Sequence, residues 1–177
     1  MSPCRDHPES TERSRATCRR RRWLAIVATA LTLVSGCGTS GGGRGNVDQL
    51  HLLTIPVAIN FDNVAGADGF AIKVYASRAS DPKPVAIPRG TVEILMYNGV
   101  VRASDLATTK PLRTWSFSGD TLRDRQYRTS IGIGYQFALG WGEAKPAADR
   151  VTVVARHLSP EGPVISSLPS SIVTNIQ

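Results

Sequence analysis

Arg123-Asp124-Arg125-Gln126-Tyr127-Arg128 is the only local charge cluster in the chain beyond residue 37. Guanidinium groups beside a phenol suit acidic glycans or phosphate-bearing surfaces, because each guanidinium presents a planar fork of donors. Asp124 neutralises part of the charge, so the plainer reading is a solvated loop with internal ion pairing. Arg123, Arg125, Tyr127 and Arg128 are the candidate partner-binding residues. His51 and His157 lack the spacing of a metal-binding pair such as His-x-x-x-His or His-Glu-x-x-His. His157 follows Val151, Val153 and Ala155 in the inward alternation, where a histidine at a strand end is more often just partly exposed. Asp62, Asn63 and Asp68 could gather oxygen ligands around calcium, yet their spacing matches no EF-hand loop, and turns favour these residues because their side chains bond to nearby amides. Ser116, Ser118 and Ser130 lie near arginines and Asp120, but no Gly-x-Ser-x-Gly elbow or neighbouring histidine accompanies them. Gly132-Ile133-Gly134 is too short for a dinucleotide fingerprint and runs into strand-like rather than helical sequence. The sequence therefore predicts no catalytic residue, no cofactor and no metal ligand.

The chemistry that the cysteines imply is a different one. Cys4 and Cys18 precede a motif, Val34-Ser35-Gly36-Cys37, that follows the basic run Arg19-Arg20-Arg21-Arg22 and about 12 apolar or small residues over 23–34. That stretch is too short to span a bilayer comfortably. Small residues at 35 and 36 fit a signal peptidase, and the Cys37 thiol is placed to become a thioether to diacylglycerol, an arrangement that resembles the lipobox of bacterial lipoproteins. Arg20-Arg21-Arg22-Trp23-Leu24 is also similar to the twin-arginine export pattern, so the general and twin-arginine routes both stay open. Gly38 stands where an aspartate would retain the protein at the inner membrane; in enterobacterial sorting this would favour the outer membrane, and the periplasmic face of the inner membrane and the outer membrane both stay open.

Three segments follow: residues 1–36 as signal peptide, 37–49 as lipidated cysteine and glycine-rich linker, and 50–177 as one domain. The full chain has 21 basic and 14 acidic residues; without the seven arginines and three carboxylates that precede Cys37 the net charge falls from +7 to +3. Most of the apparent basicity thus belongs to the signal, and no nucleic-acid partner is expected. No cysteine lies beyond Cys37, so the domain must draw its stability from buried apolar area without disulfides.

Apolar residues in that domain recur every second position, the period of a strand. Leu53, Ile55, Val57, Ile59 and Phe61 share one side of an extended segment in which Pro56 suggests an edge or bulge. Phe70, Ile72, Val74 and Ala76 alternate with Ala71, Lys73, Tyr75 and Ser77, a strand with one wet face. Residues 80–88, with three prolines, read as its closing loop. Val92, Ile94 and Met96 form a third strand, ended by the turn signal Asn98-Gly99, and residues 104–110 a helical turn or crossing loop. Arg113, Trp115 and Phe117 share a face of a fourth. Ile131, Ile133, Tyr135, Phe137, Leu139 and Trp141 oppose Gly132, Gly134 and Ala138, as in a central strand that another backbone approaches closely. Val151, Val153 and Ala155 make a sixth strand, and residues 164–173 a seventh broken at Pro169. The expectation is an all-β fold, a single two-sheet sandwich of about seven strands, Ig-like or transthyretin-like, with a small closed barrel as the alternative.

Ala67-Asp68-Gly69 with Ile72-Lys73-Val74-Tyr75, then Ile87-Pro88-Arg89-Gly90-Thr91-Val92-Glu93, Pro111-Leu112-Arg113-Thr114-Trp115, Trp141-Gly142, Val151-Thr152-Val153 and Pro169-Ser170-Ser171-Ile172 are together similar to a group of uncharacterised bacterial envelope lipoproteins with a small β-sandwich behind a lipobox. The resemblance covers most of residues 50–174. It implies an extracytoplasmic sandwich and no catalytic residue.

The functional expectation is a membrane-tethered, non-enzymatic interaction or structural module of the bacterial cell envelope, held to the membrane by lipid on Cys37 and engaging an envelope protein partner through a sheet edge or the arginine loop. One alternative is a small-ligand or carbohydrate carrier with a pocket lined by Trp115, Tyr135, Phe137 and Trp141. Another is an envelope enzyme whose site joins His51, His157 and scattered carboxylates.

Overall fold

The computed structural model describes residues 47–62 and 64–174. Residues 1–46, on which the expected signal peptide, Cys37 and most of the expected glycine-rich linker fall, lie outside the described residues, as does Asn63. The described chain forms β1 (Gln49–Thr54), β2 (Gly69–Arg78), β3 (Asp81–Val85), β4 (Thr91–Asn98), β5 (Arg113–Ser118), the short helix α1 (Gly119–Arg123), β6 (Gln126–Thr129), β7 (Gly132–Gly140), β8 (Arg150–Leu158), β9 (Ile165–Ser166) and β10 (Ser170–Val173). Sheet A runs β1-β2-β7-β6, with β3 also paired to β2; sheet B runs β10-β8-β4-β5, with β9 also paired to β8. All these strand pairs are antiparallel. The chain is an all-β two-sheet sandwich.

The inner faces interlock as alternation requires. Phe70, Ile72, Val74 and Ala76 from β2, with Tyr135, Phe137 and Leu139 from β7, meet Val92, Ile94 and Met96 from β4 and Val151, Val153 and Ala155 from β8. Phe70 meets Trp115 edge-on at 5.6 Å between ring centroids, and Phe117 meets Phe137 at 4.7 Å. Fully burying a large apolar side chain contributes ~1.5–3 kcal/mol, which accounts for a disulfide-free core.

Three sequence expectations change. First, β1 ends at Thr54, and Leu53, Ile55 and Phe61 are 56%, 47% and 44% exposed instead of sharing a buried face. The register is set from Leu50, which is buried together with Val47. Pro56 has no N–H for the ladder, so the chain crosses to sheet B: Val173 donates its N–H to the Pro56 carbonyl and Ala58 donates to the Val173 carbonyl. Second, the folded domain already includes residues 47–49, which the linker boundary had set aside: Val47 is in the core and Asp48 donates its N–H to the Ser77 carbonyl. Third, the described residues form ten strands. The added β3 holds Pro82 and Pro84 outside its paired positions, Asp81 and Val85, which is why proline does not forbid it. The added β6 lies inside the arginine cluster, and the broken last strand divides into β9 and β10.

The two outer faces differ. Residues 99–112 close over sheet B, packing Val101 and Leu106 on Leu95, Tyr97 and Val154. The Thr152 hydroxyl donates to the Gly99 carbonyl at 2.9 Å and accepts the Val101 N–H at 2.8 Å, pinning the start of that cover.

Candidate functional site

The outer face of sheet A is built from the odd residues of β1 and β2 and the even residues of β7. Strand register aligns His51, Tyr75, Gly134 and Tyr127 in one row across all four strands, and Leu53, Lys73 and Gln136 in the next. The floor is small: a Cβ on Gly134 would stand 2.7 Å from Tyr75 Cε1 and 2.9 Å from Tyr127 Cζ. Only glycine lets both rings lie against the strand here, so what approaches Gly134 is a pair of rings, not another backbone.

Over that glycine the Tyr75 and Tyr127 hydroxyls meet at 2.6 Å, with ring centroids 6.2 Å apart and edge-on. Lys73 Nζ sits 5.4 Å from the Tyr127 ring centroid, a cation–π contact. Burial and then the Tyr75 hydrogen bond hold the Tyr127 hydroxyl in its neutral form, pushed up to about 12. At the opposite edge His51 Nε2 and the Ser77 hydroxyl are 3.0 Å apart. A shallow groove of about 260 Å³ opens beside these rows, lined by Leu53, Ile55, Ala71, Lys73 and Gln136 among others. Further along the same face Phe61 lies against Gly69, where a Cβ would come within 2.4 Å of its ring. The arrangement presents aromatic and aliphatic surface with a few donors at its margin, and suits binding.

The arginine cluster does not stay together. Arg123 is on α1 and pairs with Asp120. Arg125 lies 5.9 Å from the Phe117 ring centroid, at the sandwich edge. Arg128 is exposed on the face opposite to Tyr127, because neighbours along a strand alternate. Of the four candidates, Tyr127 alone joins the outer face of sheet A. Sequence alternation had placed Tyr75 and Lys73 on a wet face, but the hydroxyl pair depends on register between strands 52 residues apart.

The two histidines are separated as well. His51 is on the outer face of sheet A, whereas His157 is 2% exposed on the inner face of sheet B. His157 Nε2 bonds to the Arg89 carbonyl at 2.9 Å, and its buried Nδ1 has no hydrogen-bond partner among the described residues. Asp68 and Asp62 accept the N–H groups of Phe61 and Val64, both at 2.9 Å, so these carboxylates hold turns. Ser116 donates to Glu93, which also takes two bonds from Arg156. Trp115 and Phe137 pack in the core, while Tyr135 and Trp141 border separate grooves. The four aromatics do not line one pocket among the described residues. Burial raises the Tyr135 and Tyr97 hydroxyls above the ordinary phenol value.

No family model and no curated protein matches this chain. Among solved structures it is similar to a polysaccharide deacetylase from Bacillus cereus, with a TM-score of 0.40 and 10% identity over 72% of this chain. The match spans 30% of the deacetylase chain.

Proposed function

We propose that this chain is an envelope lipoprotein, exported by the signal in residues 1–36 and tethered through lipid on Cys37, whose sandwich is a non-enzymatic interaction module. Its binding surface is the outer face of sheet A, and its partner is an envelope protein. What supports this reading is the contrast between the outer faces. Sheet B covers its apolar patch with its own chain, whereas Leu53, Ile55 and Phe61 remain 44–56% exposed around sheet A, beside two tyrosines and Lys73. Leu53 and Ile55 line one groove on that face, exposed apolar patches of this kind mark interaction sites, and tyrosine is enriched at the centres of protein interfaces.

Site-specific photocrosslinking in the full-length protein tests the surface. Probes replacing Leu53 or Gln136 are expected to capture one envelope protein reproducibly, and a probe replacing Thr114 on the outer face of sheet B is not. Equal capture from both faces, or none from sheet A, overturns the assignment. The anchor has its own test: Cys37→Ser should abolish incorporation of labelled fatty acid and release the protein from the membrane fraction, and persistence of both would reject lipidation.

A further inference from the structure

We propose that the groove between α1 and residues 86–90 is a second binding site, for a small ligand that carries an oxyanion head, carboxylate or phosphate, on an apolar body. The site is separate from the outer face of sheet A and does not depend on the proposal for that face. It encloses about 510 Å³, and its border includes Ile87, Arg89, Leu122, Arg123, Gln126 and Tyr135. That size lies within the ordinary range of small-molecule sites.

Each part of the ligand has a counterpart. Ile87 and Leu122 are 8% and 5% exposed and supply an apolar wall. Arg89 and Arg123 stand on different segments of the rim, each paired with one acidic partner, Glu161 at 3.4 Å and Asp120 respectively. Both ion pairs are well exposed, and such pairs are weak. A guanidinium has five donors, so each arginine keeps donors for a second anion. Gln126 and Tyr135 are directly opposite across β6 and β7 and face the same side.

The most specific feature is Tyr135. It is 1% exposed, and its oxygen accepts the Ile87 N–H at 2.8 Å, which fixes the phenol at the groove. Its own proton has no acceptor among the described residues. A buried hydroxyl with an unspent donor, in a groove whose border also carries two arginines, calls for an acceptor from a ligand. Arg–oxyanion contacts supply charge and orientation, and the tyrosine adds a neutral donor at the inner end.

Benzoate and phenyl phosphate, titrated into the full-length protein in detergent and followed by amide NMR and calorimetry, provide the test. At least one probe should bind saturably with shifts at residues 87–90 and 122–126; which of the two binds assigns the head as carboxylate or phosphate. Arg89→Gln and Arg123→Gln should each weaken binding about tenfold, the equivalent of one charge-assisted hydrogen bond. Tyr135→Phe should weaken it while leaving dependence on the arginines. Asp120→Asn and Glu161→Gln should strengthen it by freeing the guanidinium groups, an effect that a folding defect would not mimic. Absence of saturable binding by either probe, or affinities unchanged across these variants, overturns the proposal.

Discussion

The hydroxyls of Tyr75 and Tyr127 meet at 2.6 Å above Gly134, across the strand that separates β2 from β6 in sheet A. Each ring uses space that a side chain at position 134 would occupy, so the pair and the glycine form one unit. Gly134→Ala places a methyl group within 2.7 Å of the Tyr75 ring. Because both rings are half-buried and can swing, the expected cost is ~1 kcal/mol, at the low end for overpacking. Urea unfolding checks the loss, and titration of Tyr127 checks that the hydroxyl contact breaks with it.

Alkaline pH should weaken this part of the fold. Tyr127 is raised from 10.0 to about 12, first by burial and then by the Tyr75 hydrogen bond. The folded state therefore holds this proton more tightly than the unfolded state, and stability is lost as pH rises through the window from 10 to 12. Tyr127→Phe should remove that contribution to the slope. Tyr75→Phe should move the Tyr127 titration downward while leaving the burial effect in place. Phenolate absorbance and denaturant midpoints measured against pH are the readouts, and an unshifted Tyr127 titration in the wild type would contradict the geometry.

The cover on sheet B and the open face on sheet A should respond differently to truncation. Leu95 is 4% exposed beneath residues 99–112, whereas Leu53 is 56% exposed. Leu95→Ala is expected to cost ~2–3 kcal/mol, as for a buried leucine. Leu53→Ala should stay within about 0.5 kcal/mol, the usual span for a surface position. Parallel chemical unfolding of the two variants decides the matter; similar losses would mean that Leu53 is covered.

Gly90, the one glycine of the β3–β4 connection, is expected to resist replacement. Its φ is +101°, and an added Cβ would fall 2.3 Å from the Leu158 carbonyl oxygen and 2.8 Å from His157 Nε2. Backbone cannot swing aside as a ring can, so Gly90→Ala combines strained φ with a clash and should cost at least ~2 kcal/mol. The same shift would strip His157 of its bond to the Arg89 carbonyl, and His157→Ala should itself cost ~2–3 kcal/mol by leaving a cavity and an unpaired carbonyl. Thermal unfolding of both variants tests this, and a fully stable Gly90→Ala would show that the connection adapts.

Much of the sandwich could be read from alternation. The inward residues of β2, β4, β7 and β8 stand in the sequence every second position, and two packed sheets are the natural way to bury so many one-sided strands. Alternation was silent where side chains did not carry the signal. β3 is disguised by Pro82 and Pro84, and β6 by its polar residues; both exist because a neighbouring strand offers a partner. It misled at Leu53 and Ile55, because a strand has two possible phases and the buried Val47 and Leu50 set the one that occurs.

By itself, the sequence determined the class of fold, the main strands, the inward aromatic row of β7 and the absence of cysteine behind Cys37, since each follows from local pattern or composition. Tertiary structure alone decided that the arginine cluster disperses, that Tyr127 finds Tyr75, and that Arg89 and Arg123 border the groove of Tyr135. The physical reason is that a strand's period tells which residues share a face, while pairing register and sheet packing, set by the sum of many long-range contacts, tell which faces meet.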